Sequence, residues 1–403
     1  MIAAFLLLAA LGASLEPPAP AEAPPARLMT EIKAHSELMQ NLEELCDRIG
    51  PRLSGSRSLR EAQAWAIAKL RGYGAANVHQ EAYALGLPWH RGPARAHLLE
   101  GSQLEFEIAQ WGWTEGTHGP VRGEVVTLDA PTLAQFEAEA PRLAGKVVLV
   151  KARPRPTDEE RRELAAYRAR LRKLWRSVPY AAVLIPSEME VGLVEMAGGP
   201  DATFQVRTAF IAKDHAAMLQ RLIDRGLKPT LEIELGGSFG TKPVQEHNVV
   251  AEWPGTEHPE EVVILGAHLD SWDLGSGATD NGAGVVAFME VMRAFHAAGL
   301  TPRRTLRLVL FSGEEEGLLG STAYLAAHAD ERERVQAVLV LDAGAGRIVA
   351  FGDGQVDSWA EALEAALKPA EAVGPIDVSY ARPGGSDQDP FRRAGIPAFV
   401  PRQ

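Results

Sequence analysis

Continuous apolar runs recur along the second half of the chain, each closed by polar residues. VVILGAH (262–268), TLRLVLFS (305–312), AVLVLDAG (337–344) and IPAFVP (396–401) have the length and branching of buried strands. Between the first two, GVVAFMEVMRAFHAAG (284–299) carries the helical period. Continuous apolar strands alternating with helices predict an α/β fold whose mostly parallel sheet is helix-flanked on both faces. Such sheets collect their chemistry at the carboxyl ends of the strands.

The first half reads differently. Residues 29–48 and 58–72 have helical periodicity, split by the turn-rich GPRLSGSRS. Residues 78–110 mix short apolar runs with Gly and Pro and predict strands. From 111 to 245 the texture changes, with strands expected at GEVVTL (123–128), KVVLVKA (146–152) and AAVLIP (181–186). This predicts a β-rich domain inserted at 111–245 into a discontinuous domain of 28–110 and 246–403. The charged segment 157–177 reads as a solvated helix with Glu–Arg pairing rather than a basic binding patch.

The opening residues 1–14, MIAAFLLLAALGAS, are apolar but too short to span a bilayer, and resemble the core of a secretory signal. Residues 15–27 are a Pro/Ala-rich linker in this reading. A secreted or periplasmic location is expected, with no membrane span in the mature chain. The formal net charge of −12 argues against nucleic acid or an anionic membrane as partner. Cys46 is the only cysteine, so no intrachain disulfide can form, and it reads as a small buried hydrophobe.

Candidate chemistry concentrates in GAHLDSWDLGSGATDNGAG (266–284) and SGEEEGLLGS (312–321). His268 ends a strand, with Asp270 placed to take its second ring N–H. Asp280 precedes a helix, where it is either an N-cap or a metal ligand. The glycines around it are not a phosphate cradle, because the P-loop lysine is missing. Glu314, Glu315 and Glu316 crowd one strand end, and Asp342 ends the next strand. Adjacent carboxylates repel unless a cation, a proton or solvent relieves them. One of these glutamates could bind metal while its neighbour serves as general base. A histidine with several carboxylates and no cysteine suits zinc, with manganese or cobalt as substitutes. No GxSxG nucleophile elbow occurs, and His296 and His328 read as structural.

In their order HLDSWDLGSGATDNGAG, FSGEEEGLLGS and VLDAG, the motifs resemble the co-catalytic zinc aminopeptidase superfamily, and its carboxypeptidase Q branch in particular. The steps of 12 residues from His268 to Asp280 and 27 from Glu315 to Asp342 agree with this, as does GPRLSGSRS. The resemblance implies a zinc peptidase catalytic domain with a protease-associated insertion, hydrolysing dipeptides or short peptides. It implies that His268 and Asp342 hold one zinc, Glu315 the other, and Asp280 bridges. Glu314 becomes the general base, Asp270 orients His268, and the Asp280–Asn281 peptide is cis. Relatives of this kind form homodimers.

The family's second zinc also takes a histidine downstream of GGSDQDPFRRAGIPAF, and no His follows His328 here. The expectations are a C-terminally truncated chain, one well-held zinc, and apolar surface exposed around Ile396 to Val400. The competing readings are a non-catalytic binding protein of the same fold, an inactive fragment, or a single-zinc acyltransfer enzyme such as a glutaminyl cyclase. The retained ligands and Glu314 favour the hydrolase.

Overall fold

The computed structural model describes residues 24–101, 104–130, 132–151, 170, 172–200, 206–342, 344–352, 361, 364, 367, 377–379 and 385–403. The signal-like segment, most of the linker and most of the charged segment 157–177 lie outside the described residues.

A six-stranded sheet organises the molecule, in the order Ala76–Gly86, Val244–Trp253, Arg304–Phe311, His258–His268, Val335–Val340, Ala398–Phe399. The last four are mutually parallel, and Val244–Trp253 runs antiparallel to both of its neighbours. The sheet is therefore mixed, with one reversed strand among six.

Alternation along the strands divides the core. Leu308 and Leu310 face one side with Leu265, Ala267, Val285, Met289 and Leu59. Val309 and Phe311 face the other with Ile264, Val338, Tyr324 and Phe391. Side chains of period two must split this way. The helices Arg57–Gly72 and Ala283–Ala297 cover the first face; Leu319–Ala327 and Gln388–Arg393 cover the second. Each fully buried leucine contributes about 1.5–3 kcal/mol.

Ile396 and Ala398, expected at an exposed surface, are buried. Phe391, on the helix just before them, packs into the same cluster and covers them. The single helix expected over 29–48 is instead Pro24–His35, Leu38–Glu43 and a wider π-helical turn, Glu44–Ile49. The break falls where Ser36 Oγ accepts the Leu38 amide, a local bond that competes with helix continuation. Cys46 is buried, as its surroundings in the sequence suggested.

An eight-stranded sheet, with both parallel and antiparallel pairs, has its own apolar cluster around Val147, Leu184, Ile211, Leu231 and Ile233. It takes in Ala94–Leu98, Glu105–Phe106 and Ile108–Gln110, and so starts before the boundary expected at 111. Short polar-spaced strands gave no sign of which sheet they would join. Near its entry, Trp89, Trp113 and Leu53 enclose Trp272, and Arg91 Nε meets Asp273 at 2.8 Å. Trp272 and Asp273 belong to the loop after His268, so the segment 89–91 and Trp113 brace that loop.

Candidate metal centre

Three neighbouring parallel strands present the site. His268 pairs with Phe311 in register, and Gly266 with Val340. The residues just past these ends, Glu314 and Asp342, therefore stand beside His268. Adjacent strands lie about 4.8 Å apart, and ligand atoms of His268, Glu314 and Asp342 all lie within 4.8 Å of one another.

His268 is fully buried. Its Nε2 lies 3.0 Å from Asp280 Oδ1 and 3.1 Å from Asp342 Oδ1. Its Nδ1 lies 3.1 Å from the Asp270 carbonyl oxygen, which can only accept, so Nδ1 carries a proton. In neutral imidazole, Nε2 would then turn a lone pair toward two carboxylates, and a proton or a metal ion must sit between them. Burial disfavours the charged ring, but hydrogen bonds accepted by Asp270, Asp280 and Asp342 hold His268 well above the ordinary histidine range.

The Asp270 carboxylate, expected to orient His268, is 3.6 Å from Nδ1. Its carbonyl makes the shorter contact, while its carboxylate accepts the amides of Glu314 at 3.4 Å and Glu315 at 3.3 Å. Asp270 thus ties two strand-end loops together. The glutamate loop is tightened further by the Glu314 carbonyl, which accepts the Gly317 and Leu318 amides.

Glu314 rather than Glu315 joins His268 and Asp342 in this group. Burial pushes the Glu314 carboxyl up to about 10, with Asp387, Asp342 and Asp270 adding to it against the pull of His268. Burial pushes Glu315 up to about 8, with the Asp280 charge among the contributors. A dication would reverse these shifts by stabilising the ionised forms.

Asp280 does not cap the following helix. Asn281 takes that role, its Oδ1 accepting the Gly284 amide at 3.2 Å while its Nδ2 donates to the Leu341 carbonyl. The Asp280–Asn281 peptide is cis. Gly277 has φ +64°, and a Cβ there would lie 2.4 Å from the Ser271 Cβ, so only glycine fits this turn.

Two buried residues escaped the sequence reading. Asp387 lies within GGSDQDPFRRAGIPAF and feels the charges of His268, Asp270 and Asp342; burial pushes its carboxyl up to about 7. Arg52, in GPRLSGSRS, is fully buried against the loop after His268. His328 and His296 stand on or beside helices, with His328 paired to Glu81 at 3.0 Å and stacked on Tyr324.

Comparison with known proteins gives the family and the fold. The family model described as Peptidase family M28 matches residues 248–401. Carboxypeptidase Q of Xenopus laevis is 30% identical over 375 residues, covering 91% of this chain and 77% of the frog protein. The crystal structure of a peptidase M28 precursor from Shewanella amazonensis SB2B superposes with a TM-score of 0.78 at 28% identity, over 94% of this chain and 86% of that one. A zinc aminopeptidase from Bacillus subtilis shares the fold, with a TM-score of 0.66 at 20% identity over 91% of this chain and 84% of that one.

Proposed function

We propose that this chain, which belongs to peptidase family M28, is a zinc-dependent exopeptidase acting on dipeptides or short peptides. The observation that carries the reading is the convergence of Asp280 and Asp342 on His268 Nε2. The donor set fits zinc: one imidazole nitrogen held in the required tautomer, and carboxylate oxygens around it. His268, Asp280 and Asp342 hold one ion. Asp280 and Glu315 supply carboxylates to a second position, which has no histidine among these donors and is the weaker.

Zinc, when bound, supplies Lewis acidity that lowers the pKa of water and polarises a substrate carbonyl. Glu314 takes the proton of the attacking water and returns it to the leaving amine. Asp270 holds both His268 and the Glu314 amide, and so keeps ligand and base in register. His268 is fully buried while the Asp280 side chain is about half exposed, so the site opens to substrate on the Asp280 side.

The second sheet is read as a protease-associated insertion. Export is proposed from the apolar run at residues 1–14. No described helix is long and apolar enough to cross a membrane.

The test is a panel of free dipeptides assayed beside N-blocked and C-amidated versions, with zinc present. Free dipeptides should be cleaved, and the losing modification identifies which terminus is recognised. Turnover only of peptides blocked at both termini, added to the same panel, would overturn the exopeptidase reading.

A further inference from the structure

Between the ligands His268 and Asp280 the chain has no regular secondary structure from Leu269 to Gly277. The separation of the two ligands must be set by something outside the loop. Arg52 reaches all along it. Its Nε donates to the Leu269 carbonyl at 2.7 Å, immediately after His268. Its Nη1 donates to the Ser276 carbonyl at 3.0 Å and to the Gly50 carbonyl at 2.9 Å. Its Nη2 donates to the Gly277 carbonyl at 2.9 Å. The Arg52 amide donates to Ser271 Oγ at 3.1 Å, and the Ser271 amide returns a bond to the Arg52 carbonyl at 3.2 Å.

We propose that Arg52 is the positioning residue of the metal centre, its guanidinium stapling the two ends of the 269–277 loop and thereby setting the spacing of His268 and Asp280. The inference rests on reading those two residues as zinc ligands. Several features support a staple rather than a packing role. The side chain is fully buried, a costly place for a cation unless its donors are used. Its hydrogen-bond acceptors are mainly backbone carbonyls, so the bonds fix the course of the loop rather than form an ion pair. Four of the five guanidinium N–H groups are engaged in a planar fork. A lysine ammonium has three donors radiating from one point and cannot span these oxygens. The loop is pressed closely onto the fork: a Cβ at Gly277 would lie 2.8 Å from Arg52 Nη2.

Zinc affinity, measured by competition with a chromogenic chelator, tests this together with the visible spectrum of the cobalt-substituted protein. Arg52→Met preserves volume but removes the fork. Arg52→Lys keeps only the charge. Gly277→Ala leaves Arg52 in place and pushes the loop off both Ser271 and Arg52. Each should weaken zinc binding by about ten- to a hundredfold and change the cobalt spectrum, while circular dichroism stays native. Folded variants with wild-type affinity and spectrum would overturn the proposal. Should the Arg52→Met and Arg52→Lys variants fail to fold, Arg52→Ala refolded with added ethylguanidinium decides: zinc affinity regained with the guanidinium supports the staple, and native folding without regained affinity overturns it. If the wild-type chain itself bound no zinc, the metal reading would fall and this inference with it, a result distinct from unchanged affinity in the variants.

Discussion

Asp270 Oδ1 accepts the backbone amide of Glu314 at 3.4 Å, across the gap between two parallel strand ends. The same carboxylate takes the Glu315 amide, and the Asp270 carbonyl faces His268. One fully buried aspartate therefore sets both the histidine tautomer and the position of the glutamate loop. Asp270→Ala leaves two N–H groups without their acceptor. Stability should fall by about 1–3 kcal/mol, read by urea denaturation, and zinc affinity by about ten- to a hundredfold.

Glu314→Gln separates the two roles open to that residue. As the general base, its loss lowers kcat by about 10²–10⁴-fold with zinc content unchanged. Atomic absorption on the purified variant checks this. Loss of zinc together with activity would make Glu314 a ligand instead, as its closeness to His268 and Asp342 allows.

Removing metal should destabilise the protein. The carboxylates of Asp280, Asp342, Glu314 and Glu315 then face one another with only protons to relieve them. A ligand at a hundred times its Kd stabilises the folded state by about 2.7 kcal/mol. Chelator should lower Tm, and added zinc should restore it, in differential scanning calorimetry. An unchanged Tm would contradict a resident metal.

The His328–Glu81 pair predicts a pH dependence away from the metal centre. The Glu81 hydrogen bond raises the folded pKa of His328, whose contribution is present below the ordinary histidine range and is lost as pH rises through the raised value. Hydrogen bonds from His328 and His79 lower the folded pKa of Glu81, overcoming the opposing effect of its burial. That contribution is present above the ordinary carboxylate range and is lost as pH falls through the lowered value. The pair should stabilise most near about pH 5–6. Subtracting the Tm-against-pH curve of Glu81→Gln from that of wild type should give a maximum in that window.

Leu310 is fully buried in the middle of the six-stranded sheet, beneath the helix Ala283–Ala297. Leu310→Ala should cost about 2–5 kcal/mol, measured by chemical denaturation. The metal ligands begin past the strand ends, so the zinc content of the folded fraction should be retained.

The sequence by itself determined the strands that carry the site and most of the side chains on it. Unbroken apolar runs ending in His268, Ser312 and Leu341 leave little choice but buried strands, and polar groups at their ends must cluster once the strands are parallel neighbours. Tertiary structure decided what no local pattern encodes. Arg52 binds mainly backbone carbonyls, which every residue possesses, so its acceptors have no sequence signature. Asp387 becomes a neighbour of His268 only when the chain folds back from over a hundred residues away. Glu314 and Glu315 are chemically identical in the sequence, and differ only because the loop fixed by Asp270 turns one of them toward His268 and Asp342.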